Sequence, residues 1–458
     1  MTKNFNITFK NLKQFSQKFN NKRTNKVFKN VNTKVPFHKL VIKSDYAQTQ
    51  KRVFDKKINI KKKITDQEES GRCWIFAFLN VIRIPMIKKY NLEENFEFSQ
   101  NYLFFYDKLE KANAFFNYIF DTKKTTLNNV VNYKMDTIKL VHLLDNLTND
   151  GGNWCNFCNL INKYGVIPKS IMNDKFHSKN SKDLNTFYNN FLRKSAKLIR
   201  NSSKNKDTLM KELLSECYKI LVLFLGEPPK TFTWDYYEID KKNKDKKNQK
   251  ILENITPLDF YKKYVPYDVN DKICLINYPC KDIPYYKKYN LEMFLNVIEG
   301  IKTEFINVPM EIIVKAIKKS INNEEAVWCG VDVNKFISKD DGFLDTKGFN
   351  YTDIFGFNNI MDKCDGLNYR QSNPKHAFVI EGYNHKKGNS HGFLIENSWG
   401  DDNGFKGNYY MSEKWFNLYG YIAVVDKKFV SSKELNVMKQ KPLELPFWNP
   451  FGNLLNIK

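Results

Sequence analysis

Residues 376–399 read HAFVIEGYNHKKGNSHGFLIENSW, two apolar runs on either side of a polar, glycine-bearing turn. A segment of this kind closes on itself as an antiparallel hairpin, and the register of the hairpin decides which side chains meet. A turn centred between Lys386 and Lys387 sets His376 opposite Asn397. Directly opposed residues lie about 5 Å apart, so in that register the asparagine holds the imidazole in the tautomer that accepts a proton. A bulge or a slipped turn changes the pairing by whole residues. His385 and His391 fall near the turn and are expected to be solvated. Trp399 either covers the His–Asn bond from water or packs in the core.

A held imidazole is a general base for a nucleophile. The stretch DQEESGRCWIFAFLNVIR, 66–83, offers Cys73 at the head of an apolar run. The spacing of Trp74, Phe78, Val81 and Ile82 predicts a helix over 73–90, which Pro85 kinks or ends. Helix N-termini favour a thiolate through the dipole and the unpaired N–H groups, and with a histidine paired to it the thiolate is expected to persist well below the ordinary cysteine value of about 8.5. Gln67, six residues upstream, can fold its side-chain NH2 beside the Cys73 N–H, which gives two donors for an oxyanion. Without a base, a cysteine in this position is an inert core thiol.

Further along, Ser99 is placed to cap a second helix, QNYLFFYDKLEKANAFFNYIF, and NDGGNWCNFCNLINKYGVIPK predicts a Gly-Gly turn, a short helix and a glycine stop. Residues 180–325 are polar and helix-patterned in pieces, broken by GEPPK and NYPCKDIPYY, and read as an inserted, mainly helical subdomain. From 326 the chain becomes β-rich. The expected organisation is a basic lead (1–65), a helical half with the nucleophile (66–179), the insertion (180–325), a β-rich half with His376 and Asn397 (326–430) and a C-terminal arm (431–458). In the arm, Pro446 and Pro450 predict an extended path, and Phe447 to Phe451 are expected to be stapled over a core surface or a subunit interface.

Composition removes several function classes. With 458 residues, 42% of them hydrophobic, a large core is available. No run of about 18 apolar residues predicts a spanning helix, the N-terminus lacks the apolar core of a secretory signal, and a cytoplasmic location is expected. The first 44 residues lack Asp and Glu, as an organellar presequence does, while Leu12, Phe15 and Phe19 keep a helical spacing. Eight cysteines are too few for a disulfide scaffold and are expected as buried free thiols. The net charge of +24 is dispersed and mostly lysine, so nucleic-acid binding is expected to be weak and non-specific. The runs KKINIKKK and KKNKDKKNQK lack interleaved aromatics. Cys155 and Cys158 have no second ligand pair for zinc, no phosphate loop is present, and no cofactor is expected.

The strings SGRCWIFAFLNVIR, FEFSQNYLFF, DGGNWCNF, KHAFVIEGY, ENSWGDDNGFKGNYYMSEKWF and LPFWNPFGNLL, collinear over roughly residues 60 to 455, resemble the bleomycin hydrolase or aminopeptidase C family of the papain superfamily of cysteine peptidases. That resemblance implies an α+β fold: a papain-like core of a helical half and a β-barrel half, a large mainly helical insertion, and a C-terminal arm lying in the active-site cleft. It also implies a barrel-shaped homohexamer and aminopeptidase activity on small peptides through a thioester. In its terms Cys73 is the nucleophile, His376 the base and acid, Asn397 its orienter and Gln67 the oxyanion donor. Gly151 and Gly152 form the turn whose backbone pairs with an extended substrate. Two positions depart from the family: Asp66 stands where Asn is usual, and the tail runs on through NLLNIK. The same Cys-His-Asn set suits an amine acyltransferase, which competition between amine and water for the acyl-enzyme would reveal. A basic nucleic-acid-binding oligomer with secondary peptidase activity would show salt-dependent binding.

Overall fold

The run that begins at Cys73 is apolar on every side, and it folds as one helix, Cys73–Tyr90, with fourteen of its eighteen residues buried. In this computed structural model, residues 4–49, 52–125, 127, 134–240, 246–293, 295–384 and 392–455 are described. Pro85 does not end the helix, because Met86 and Ile87 beyond it are buried and packing carries the turn that lacks one donor. It stops at Asn91, left-handed at φ 50°, whose N–H returns to the Ile87 carbonyl.

Two layers enclose this helix. On one side lie the helices Gln100–Asp121 and Trp154–Tyr164, on the other the strands Val327–Val331 and His376–Tyr383. Phe78 joins the layers: its ring stacks on Trp328 with centroids 4.5 Å apart and planes 3° from parallel, and it meets Trp154 and Phe157 at 4.6 Å. Ser99 caps the Gln100–Asp121 helix, its Oγ accepting the Tyr102 N–H at 3.1 Å. Gly165, at φ 71°, closes the Trp154–Tyr164 helix, on which Cys155 and Cys158 are buried.

The main sheet is mixed and twelve-stranded. From one edge its order is Leu443–Leu445, Lys287–Leu291, Glu304–Asn307, Lys272–Ile276, Gly420–Asp426, Val327–Val331, His376–Tyr383, Gly392–Glu396, Asn408–Ser412, Phe343–Leu344 and Ile337–Ser338, and Lys56–Lys57 pairs with the end of His376–Tyr383. The β-rich runs of the sequence thus lie side by side. The segment 180–325 contributes the helices Lys182–Asn201, Lys206–Leu225 and Pro257–Tyr264 and a separate hairpin, Phe232–Ile239 with Lys247–Ile255. It also contributes three strands of the main sheet and the helix Met310–Asn322.

At the N-terminus the helices Phe9–Asn20 and Arg23–Asn32 bury no residue, and Phe9, Leu12, Phe15 and Phe19 are exposed. At the other end, Phe447 packs on His142 and Phe451 stacks on Tyr278, as expected of a stapled tail. The extended path expected after Pro446 is interrupted: Pro450–Leu455 winds into a 3-10 turn, since proline's fixed φ suits a first helical position as well as an extended one. The expectation of free thiols fails at one pair. Cys280, after the strand Lys272–Ile276, and Cys364, on the helix Lys363–Asn368, have Cα atoms 5.2 Å apart and form a disulfide. Among the described residues no helix is long and apolar enough to cross a membrane.

Phe78→Ala removes the ring shared by both layers, and a loss of about 3–5 kcal/mol is expected. Urea unfolding measures it; a loss under about 1 kcal/mol would show that the neighbours close over the gap.

Candidate active site

Cys73 is the first residue of its helix, and Arg72 before it is fully buried, pairing with Asp174 at 2.6 Å. Asp150 holds the approach. Its Oδ2 accepts the Gly71 N–H at 3.0 Å and its carbonyl accepts the Trp74 indole N–H at 2.6 Å. Burial alone would raise this carboxyl, but Lys108, 2.8 Å away, overrides it and holds Asp150 at about 2. Gly152 lies over the same indole: a Cβ there would meet the Trp74 ring at 2.6 Å, so no larger residue fits without movement.

The His376 strand packs against this helix. The main chain of Ala377 and of Trp74 favours the Cys73 anion, so Cys73 lies near the first residues of that strand. His376 Nε2 is 2.8 Å from Asn397 Oδ1, which also accepts the Ser398 N–H at 3.0 Å. Oδ1 is therefore the acceptor, Nε2 carries the proton, and Nδ1 is left with a free lone pair. The sequence-based register does not hold. Val379 pairs with Glu396 and Ile380 with Ile395, and a bulge follows between Ile380 and Gly382. Continued to the strand start, this register sets Trp399 opposite His376, and the two rings lie 5.0 Å apart. Asn397 is a diagonal neighbour, displaced by two residues, and two is the strand period, so it keeps the face that His376 uses. Trp399 covers the bond. His385 and His391 lie outside the described residues.

Gln67 arrives on a segment laid beside Asn397. Its N–H donates to the Ser398 carbonyl at 3.0 Å, and the Gly400 N–H donates to the Thr65 carbonyl at 3.1 Å. Gln67 Nε2 donates one hydrogen to the Ser70 carbonyl at 2.7 Å, which leaves its second N–H for another acceptor. Asp66 accepts the Glu68 N–H at 2.8 Å and closes the turn at Glu68, where φ is 49°. Gly151 and Gly152 sit beside Trp74; the Gly151 carbonyl is taken by Lys111 Nζ at 2.7 Å. His376 is bonded to Asn397, Gln67 is paired with the residue after Asn397, and Cys73 heads the helix that packs on the His376 strand, with the glycine turn beside Trp74.

Burial pushes the Cys73 thiol up to about 12, against the main-chain donors that favour the anion, and it draws His376 down to about 4, against the Asn397 bond. Neither group ionises readily by itself. A proton passed from thiol to imidazole would make both charges at once and leave the site neutral.

Sequence reasoning passed over Asp150, Lys108 and a group of charges behind the site. The signal was present: Arg83, Glu381 and Glu396 each interrupt an apolar run, where a charge needs a partner.

Comparison with known proteins gives the family of the chain. The model of the Peptidase C1-like family matches residues 6–452. Aminopeptidase C of Listeria monocytogenes is 38% identical over 395 residues, covering 86% of each chain. Bleomycin hydrolase of Homo sapiens is 38% identical over 410 residues, with 86% of each chain covered. A crystal structure of pepw from Lactobacillus rhamnosis superposes with a TM-score of 0.90 at 32% identity, over 98% of this chain and 99% of that one. The chain belongs to the Peptidase C1-like family. The mixed fold of helices around one large sheet is that of the pepw structure.

Removing the imidazole leaves the thiol with burial, which outweighs the main-chain donors. His376→Ala is expected to move iodoacetamide labelling of Cys73 to a pH above the ordinary cysteine value of about 8.5. A variant whose labelling follows the wild-type pH profile would show that the thiol ionises without His376.

Proposed function

We propose that this cysteine aminopeptidase hydrolyses N-terminal residues from small peptides through a thioester on Cys73. The Cys73 Sγ attacks the first peptide carbonyl while His376 Nδ1 takes its proton. The oxyanion is met by the Cys73 N–H and the free N–H of Gln67 Nε2. The imidazolium, held by Asn397, protonates the departing amine; the same nitrogen then activates the water that hydrolyses the thioester. Gly151 and Gly152 border the substrate path, and the main chain of Gly152 makes no hydrogen bond among the described residues, so it is open to a peptide backbone. The observation that carries this reading is the 2.8 Å bond from His376 to Asn397 beside a thiol at a helix start.

On the same reading the fold is a papain-like core, helical half and β-barrel half, with a mainly helical insertion and a C-terminal arm. The exposed Phe9, Leu12, Phe15 and Phe19 support burial between subunits of a homohexamer, which sedimentation measures. A cytoplasmic location accords with this activity. Any nucleic-acid binding is weak and collapses between about 50 and 200 mM salt.

Cys73→Ser is expected to abolish hydrolysis of free aminoacyl fluorogenic amides with the fold retained. Gln67→Ala is expected to lower kcat by about 10² to 10³ with little change in KM. Turnover by Cys73→Ser, or an unchanged kcat for Gln67→Ala, would remove that residue from the mechanism.

The final residues are assigned to the cleft, where a terminal carboxylate pairs with the substrate's ammonium. Residues 456–458 lie outside the described residues. Deleting 454–458 is expected to raise cleavage of N-blocked and longer peptides relative to free amides. A truncated enzyme that still requires a free N-terminus would acquit the arm.

A further inference from the structure

Behind the site, four charged side chains meet between the Cys73 helix and the sheet. Lys62 Nζ lies 2.8 Å from the Glu381 carboxylate and also touches the Glu396 carboxylate. Arg83 is 3.0 Å from Glu396 and donates to the Lys63 carbonyl at 2.9 Å. The side chains of Lys62, Glu381, Arg83 and Glu396 are 4%, 8%, 1% and 0% exposed. Two cations face two anions, so the cluster is electrically closed.

Each member comes from a different one of the four segments that carry the site. Lys62 lies five residues before Gln67, and Arg83 lies on the helix of Cys73. Glu381 is the bulge residue of the His376 strand, and Glu396 immediately precedes Asn397. A neutral link repeats the connection nearer the thiol: Asn80 Nδ2 donates to Thr65 Oγ1 at 2.8 Å and reaches Ser398 Oγ at 3.5 Å.

We propose that these four residues are the positioning device of the site, fixing nucleophile, base, orienter and oxyanion donor in one mutual register. The inference rests on the peptidase reading above. Its physical ground is that buried ion pairs contribute little net stability over apolar packing of the same volume, because desolvation offsets the Coulomb attraction. They do penalise displacement strongly. A strand that slips by one residue moves its side chains about 3.3 Å, and here it would strand a buried charge without a partner. Apolar contacts between the same segments would tolerate smaller shifts, yet a misplacement of about 1 Å at the reacting atoms can cost on the order of 10²-fold in rate. Among the described residues, no hydrogen bond or ion pair joins any of the four to the thiol or the imidazole, so they act through the segments they hold.

The test uses the full-length protein and two variants. Glu396→Asp keeps every charge and withdraws the carboxylate by one methylene. The double variant Arg83→Met with Glu396→Gln removes one cation and one anion together and leaves Lys62 facing Glu381. With folding checked by circular dichroism, kcat on a free aminoacyl amide is expected to fall at least about 10-fold in Glu396→Asp and about 10²-fold in the double variant. KM should stay within about twofold, since no substrate contact is lost. Labelling of Cys73 by iodoacetamide at neutral pH should slow in step with kcat. Folded variants that keep both rates within about twofold of wild type would overturn the proposal. Should the double variant not fold, Glu396→Asp decides. If the wild type hydrolyses no aminoacyl amide, the peptidase reading fails, and the labelling rates still decide the positioning role.

Discussion

The stack of Phe78 on Trp328 joins the helix that carries Cys73 to the sheet that carries His376. Everything at the site depends on that junction being rigid. Aromatic faces 4.5 Å apart hold the two layers at a fixed separation, and Trp154 and Phe157 close the other side of the ring. With its middle pinned, the helix presents its first residue at one place, where Asp150, Gly71 and the Trp74 indole fix the approach. The same packing excludes water from the thiol and the imidazole, and the exclusion suppresses charge on either of them. Rigidity and electrostatics are therefore one property of the site: the packing that holds the two groups in place also disfavours a charge on each of them.

Much of this arrangement was legible in the residues. Hydrophobic spacing marked the Cys73 helix, Ser99 marked the next start, and the two apolar runs around the 384–391 turn marked the hairpin. The hairpin also shows how a correct pairing can follow from an incorrect register. A bulge at Glu381 and the length of the turn shift the strands by two residues relative to a symmetric turn, and neither is encoded by local polarity. Because the shift is even, His376 and Asn397 kept a common face and met diagonally. An odd shift would have sent them to opposite sides of the sheet.

The less legible parts depend on contacts between residues far apart in the chain. The strand Lys272–Ile276 lies beside Gly420–Asp426, about 150 residues later, and nothing in its own five residues says so. The four-charge cluster likewise draws on positions from 62 to 396. Each charge alone breaks the apolar pattern of its run; only the assembled fold shows that the interruptions cancel. Pro85 illustrates the converse, a strong local signal outweighed by burial on both sides of it.

The Cys280–Cys364 bond spans 84 residues of sequence, and Cys280 is two residues along the chain from Tyr278, on whose ring Phe451 rests. In the chain-entropy account a closure of that length restricts the unfolded chain by on the order of 4–5 kcal/mol. An enzyme that works through a thiol is handled in reductant, and a reductant strong enough to open this link removes that restriction. The buffer chosen to preserve the nucleophile thereby sets the heat tolerance of the whole molecule and the footing of its tail.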